Sequence, residues 1–262
     1  MPWRTNCWLL VTVSLLALAC PTPSPAADGS LKIRFTLDGE APKPTPAYLH
    51  GSDEAFCASK SVVYESLVVG PKKQIQNVVM WLVTPPDQSA PHSEAAIKAL
   101  PKEVQLQTRN CRYEPHITLL HTSQTLVISN PDPIGHAAKV DLFRNPSFNE
   151  LIPVGDVQKR EFKEAENRPA PISTCAHLWM SGFLLVRDNP YFGVSNAEGV
   201  LTIPHIPAGK HSFVIWHERT SYVTRGTLSG EMQEFQKGKL EVTVAGETDL
   251  GEMIIPLKLL DK

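Results

Sequence analysis

The sequence predicts an all-β fold of packed sandwiches with Greek-key connections, and three observations carry that prediction. Short runs rich in β-branched and aromatic residues recur along the chain, bounded by Pro, Gly, Asn or Asp. One segment alone reads as helix. Proline, at 23 of 262 residues, is nearly twice its usual share of about 5% and is spread rather than repeated, which suits loop-rich sheets and not a helical bundle. With 42% hydrophobic residues the chain has apolar material for one or two packed cores.

The first predicted strand, Leu31 to Leu37, contains Ile33 and Phe35 and ends before Asp38-Gly39. Ser61 to Val69 follows, and Gly70-Pro71 separates it from Gln74 to Thr84, whose centre is Val78-Val-Met-Trp-Leu82. His92 to Leu100, with Ala95, Ala96, Ile97 and Ala99, is the helical exception, an insertion bounded by Pro91 and Pro101. Strands are then predicted over Glu103 to Thr108, His116 to His121, Thr125 to Asn130, Ala138 to Phe143 and Gly182 to Arg187. Near Asn189 and Pro190 the character changes. Tyr191 to Trp216 reads as strand, turn, strand, turn, strand, with Asn196 to Gly199 and Pro207 to Gly209 as the turns. Within this part Val200 to Ile203, Lys210 to His217, Leu240 to Val244 and Met253 to Leu259 are predicted strands. The expected division is a domain over 28–190 and a smaller sandwich-like part over 191–262, which at this size either folds alone or packs on the first as extra strands.

Met1 to Ala27 reads as an address. Arg4 precedes an apolar run from Trp8 to Ala19, followed by small residues and Pro21-Thr-Pro-Ser-Pro-Ala-Ala27, the pattern of a secretory signal and its leader. The expected location is therefore periplasmic or extracellular, with Cys20 offering an alternative in which the N-terminus is lipid-anchored. No later apolar run approaches the length of about 18 residues that spans a bilayer. Lys and Arg number 25 against 27 Asp and Glu, without a basic stripe, which argues against nucleic acid as a partner.

Of five cysteines, Cys7 and Cys20 belong to the leader, leaving Cys57, Cys111 and Cys175. In an oxidising compartment three cysteines imply one disulfide and one thiol with another task. Cys57 and Cys111 have ordinary surroundings and are the expected pair. The alternatives for Cys175 are a buried core position or a bond to one of those two.

Cys175 has metal-ligand neighbours. In Ile172-Ser-Thr-Cys175-Ala-His177-Leu-Trp-Met180-Ser-Gly182, thiolate, imidazole and thioether lie within six positions, the donor set of a type 1 copper site. Such a site needs a second imidazole from an earlier strand end. His136, in the Pro/Gly-rich segment after Asn130, is placed for it, and His116 is the alternative. Asp132 would hold the His136 loop in shape or cap its turn. His217 and Glu218 offer a second metal or a general base, against the plainer reading of a hydrogen-bonded strand end.

These motifs resemble the exported bacterial cupredoxin-like proteins of the methylamine-utilisation or carboxypeptidase-regulatory-like class, over most of the mature chain. The resemblance rests on Ile75-Gln-Asn-Val-Val-Met-Trp-Leu82, Cys111-Arg-Tyr-Glu-Pro-His116, Asn130, Asp132 and His136, then His177, Trp179, Met180 and Gly182, Pro190-Tyr-Phe192 and Trp216-His-Glu218. It implies a cupredoxin-like sandwich followed by a carboxypeptidase-regulatory-like part, with one copper ion on His136, Cys175, His177 and Met180. It further implies electron transfer to a transient redox partner, with Trp179 on an exposed docking rim. The chain departs from the family at three places. Ala137 replaces an Asn and Leu178 a Pro. Only Ala176 separates Cys175 from His177, so that Thr174 stands where the family has its cysteine. Either the loop is one residue tighter or Cys175 does not reach the metal.

The competing expectation is a non-redox β-sandwich module binding carbohydrate or protein, its metal site degenerate. Catalysis is not expected: the sequence has no nucleophile elbow, His-Glu-x-x-His motif or phosphate loop.

Overall fold

The computed structural model describes Met1 and residues 28–84, 91 and 93–261. The leader, with Cys20 and its cleavage or lipidation, lies outside the described residues. The strands are β1 (Gly29–Asp38), β2 (Val79–Leu82), β3 (Glu103–Arg109), β4 (Arg112–Glu114), β5 (Ile117–His121) and β6 (Thr125–Ser129). There follow β7 (His136–Val140), β8 (Phe148–Ile152), β9 (Val157–Arg160), β10 (Ala170–Ser173), β11 (Gly182–Arg187) and β12 (Phe192–Val194). The last are β13 (Val200–Ile206), β14 (Gly209–His217), β15 (Ser221–Tyr222), β16 (Arg225–Leu228), β17 (Glu231–Glu234), β18 (Lys239–Val244) and β19 (Glu247–Pro256). Three short helices, α1 (Glu54–Ala58), α2 (Glu94–Ala99) and α3 (Leu257–Leu260), accompany them. None of the described helices is long and apolar enough to cross a membrane.

The fold is all-β, as expected, and stacks four sheets. An outer sheet ordered β13-β1-β19-β16-β17 faces a second, β12-β2-β14-β15, to which β18 adds beside β14. Leu31, Ile33, Phe35 and Leu37 of β1 meet Met80, Leu82, Phe213 and Ile215 between these two sheets. The third sheet, β5-β11-β10-β7-β8, packs on the fourth, β4-β3-β6-β9, through Leu106, Leu120, Ile128, Val140, Ile172 and Leu184. Val79, Trp81, Ile117, Leu185 and Trp216 form a separate apolar seam joining the second and third sheets. Strand side chains alternate between faces, so the inner sheets must be apolar on both. β2 meets that demand: Val79 and Trp81 enter the seam while Met80 and Leu82 enter the first core. The outer β18 shows the opposite regime, with buried and exposed residues alternating strictly.

The sheets cross the division expected at 190/191. β1 pairs with β13 and β19, and β2 with β12 and β14, so two early strands complete the C-terminal sandwich. The apolar face of β1 is buried in one core with residues of β2 and of the later strands β13, β14 and β19.

Ser61 to Val69 is not a strand: its β-pairing is confined to the isolated bridges Pro46–Val63 and Val69–Ile75. Ser61 at φ 51° starts this stretch left-handed. The strand expected over Gln74 to Thr84 contracts to β2 because Asn77, at φ 66°, interrupts it. The predicted helix is present as α2, where the Ser93 hydroxyl caps the Ala96 amide at 3.1 Å. The strand expected to Leu259 stops at Pro256, and α3 follows.

Candidate metal centre

One end of the third and fourth sheets carries the histidines. β6 ends at Ser129, and Asn130 shapes the next turn: its side-chain amide donates to Ile134 O and Ile152 O, both at 2.8 Å, and its Oδ1 accepts from the Asp132 amide at 3.1 Å. Asp132 is thereby aimed at a two-residue hairpin between β3 and β4. Asn110 and Cys111 are both left-handed there, at φ 54° and 57°. Their two amides donate to Asp132 Oδ1 and Oδ2, each at 2.9 Å. The same Oδ2 lies 3.0 Å from Nε2 of His136, the first residue of β7.

His177 follows β10 in the loop that Met180 closes by donating its amide to His177 O at 2.8 Å. Its Nε2 lies 3.1 Å from Asp53 Oδ2, just before α1. α1 is tied to the hairpin by a Cys57–Cys111 disulfide, which also holds the Asp53 loop over His177. The two rings meet at a centroid distance of 4.9 Å, with Nδ1 of His136 and Nδ1 of His177 3.1 Å apart.

The arrangement of these atoms decides what the pair can bind. Each Nε2 is engaged by a carboxylate, which fixes the proton on Nε2 and leaves the lone pair on Nδ1. Both Nδ1 atoms then point at each other and need a proton or a cation between them. Burial holds the His136 imidazole below its ordinary range, against the pull of Asp132 and with the help of His177, so the neutral form that ligates is favoured. Two nitrogens at this separation can both stand within about 2.1 Å of one ion, so the pair fits a metal.

The sulfur donors do not join it in the same way. Cys175 is a free, exposed thiol, while Thr174 beside it is 5% exposed. Among the described residues, the cluster that brings three metal-ligating types together is Cys111, Asp132 and His136. The Cys111 sulfur belongs to the disulfide, so that cluster supplies no thiolate. Met180 is buried among the core residues between the third and fourth sheets. Trp179, expected on an exposed rim, is instead 5% exposed, with its indole N–H donating to Cys111 O at 3.2 Å. Its bulk packs beneath the loop, against the His177 ring at 5.1 Å, and Leu178 is the residue that faces solvent.

His116, the alternative upstream imidazole, is engaged by two carboxylates. Its Nε2 lies 2.5 Å from Glu218 Oε2 and its Nδ1 4.0 Å from Glu65. Burial opposes charge on His116, but the hydrogen bond and the two carboxylates outweigh it, and its pKa is raised. Glu218 is thus occupied as an ion-pair partner. His217 is buried, and its Nδ1 accepts from the Arg219 amide at 3.3 Å.

Two residues that shape the centre were not expected as site residues from the sequence, although Tyr113 lies within the motif Cys111 to His116. Asp53 has no motif around it, and its only signal is its position four residues before Cys57. Tyr113 is fully buried, and its hydroxyl lies 2.6 Å from Ala137 O and 3.0 Å from Ser173 O. It bridges β7, which begins with His136, and β10, which leads into the His177 loop.

No family model matches the chain, and no curated protein matches it. Solved structures similar to part of it include a copper-containing nitrite reductase (NirK) from Thermus scotoductus SA-01, at 16% identity and a TM-score of 0.31. That likeness covers 41% of this chain and only 25% of the reductase. A reduced form of an amicyanin mutant is similar at 14% identity and a TM-score of 0.30, over 35% of this chain and 89% of that one. A purple cupredoxin from Nitrosopumilus maritimus is similar at 18% identity and 0.28, over 33% of this chain and all of the other.

Proposed function

We propose that this is an exported copper-binding protein in which His136 and His177 hold one ion through Nδ1, and that the ion exchanges single electrons with a transient partner protein. The observation that carries the reading is the pair of Nδ1 atoms 3.1 Å apart, each imidazole backed by a carboxylate at its other nitrogen. Copper, when bound, supplies a one-electron couple. The chain's own residues orient the rings, favour the neutral form of His136 and exclude water: His136 and His177 are 1% and 2% exposed. The surrounding sheets and the disulfide would limit rearrangement between oxidation states. No catalysis is assigned to the chain.

A second reading, a non-redox binding module for carbohydrate or protein, is favoured by one observation, the exposure of Cys175. Titration of the purified protein with Cu(II), followed by electron paramagnetic resonance and then by voltammetry, separates the two. The first reading expects one copper per chain with two nitrogen ligands, lost in His136→Ala and His177→Ala, and a reversible one-electron wave. Absence of copper binding would leave the second.

A further inference from the structure

Resting on that copper reading, we infer that the ion is held without a thiolate: Thr174 takes the inward place that a cysteine ligand would need, and Cys175 lies outside the metal shell.

Strand alternation fixes which residue turns inward. Ala170 and Ile172 of β10 are buried, Pro171 between them is exposed, and the pattern continues through buried Thr174 to exposed Cys175. Turning Cys175 inward by a one-residue slip would move Ala170, Ile172 and Thr174 to the outer face. Ladders on both edges oppose that slip. β10 pairs with β11 through Ala170–Leu184 and Ile172–Gly182, and with β7 through Ile172–Val140 and Ser173–Lys139. The Tyr113 hydroxyl holds Ser173 O at 3.0 Å, and Thr174 Oγ1 accepts from the Ala176 amide at 3.2 Å. The donor set of this chain is therefore imidazole nitrogen without thiolate sulfur, a set that favours Cu(II) over Cu(I).

The test is visible absorption and electron paramagnetic resonance during titration with Cu(II) alone, on the wild-type protein, Cys175→Ser and the double variant Thr174→Cys with Cys175→Ser. The expected result is that wild type and Cys175→Ser bind one copper with the same weak visible absorption and the same resonance spectrum, while the double variant gains an intense thiolate-to-copper band. Cys175 should react with a thiol reagent at the same rate with and without copper. An intense band in the wild type, lost in Cys175→Ser, would overturn the inference and leave the copper reading standing. So would a double variant that binds copper without gaining the band. Wild-type protein that binds no copper would remove the copper reading and this inference with it.

Discussion

Asp53 Oδ2 lies 3.1 Å from Nε2 of His177, although the two residues are 124 positions apart. The contact exists because the disulfide pins α1 against the hairpin whose amides hold Asp132. The disulfide thus joins the hairpin that holds the Asp132 carboxylate to the helix that Asp53 precedes.

On the copper reading, Asp53 acts on the ion through His177. Replacing it by Asn should weaken copper affinity about ten- to a hundredfold, the usual cost of losing a carboxylate behind a ligating imidazole. Its side chain is one-third exposed, so the melting temperature should barely move. Competition titration against a copper chelator measures the first effect and calorimetry the second. Unchanged affinity would mean that Asp53 plays no part in orienting the ring.

Tyr113→Phe removes one buried hydroxyl and leaves two carbonyls without that partner. A loss of about 1–3 kcal/mol in unfolding free energy is expected by denaturant titration, together with a broader copper resonance as the two ligand strands gain freedom. A variant with wild-type stability and linewidth would show that the ladders alone hold the strands.

Breaking the disulfide should act on both stability and site. Cys57→Ala with Cys111→Ala is expected to cost about 2–5 kcal/mol and to lower copper affinity in the manner of the Asp53 variant. Combining it with Asp53→Asn should give little further loss of affinity, because both changes remove the same contact. Full additivity in the titration would contradict that route.

His217 makes stability depend on pH. Burial pushes its imidazole down to about 4, whereas in the unfolded chain it titrates near 6.5. Between those values the unfolded state binds more protons, so this residue's contribution is complete above about pH 6.5 and is lost as pH falls toward 4, on the order of 3 kcal/mol in all. The His116 shift runs the opposite way but is common to wild type and variant. Thermal unfolding of His217→Asn should therefore fall less steeply on acidification than that of wild type. Parallel slopes would place the acid sensitivity elsewhere.

What the sequence revealed followed from how strongly each element's burial marks its residues. β1 and the inner strands are legible because Leu31, Ile33, Phe35 and Val79 to Leu82 must be apolar to fill cores on one or both faces. β8 and β9 escaped because they lie at sheet edges and carry polar residues such as Asn149, Glu150, Gln158 and Lys159, leaving little apolar signal. That His136 and His177 come together agrees with their residue type and order in the sequence. The inward place of Thr174 depends on a one-residue register in a four-residue strand, which only the ladders to β7 and β11 determine. Asp53 reaches the site through a disulfide, and no local pattern encodes that reach.

The parallel pairing of β1 with β19 bears on how the chain reaches this state at all. Lys32 and Asp249, 3.1 Å apart across that pair, are separated by 217 positions. During synthesis, the apolar row of β1 must therefore stay unpaired on the β19 side until β19 itself emerges. Pairings this distant close slowly and leave strand edges open in the interval. The first sheet therefore closes only once β19 is available, and the open edge of β1 is exposed to aggregation until then.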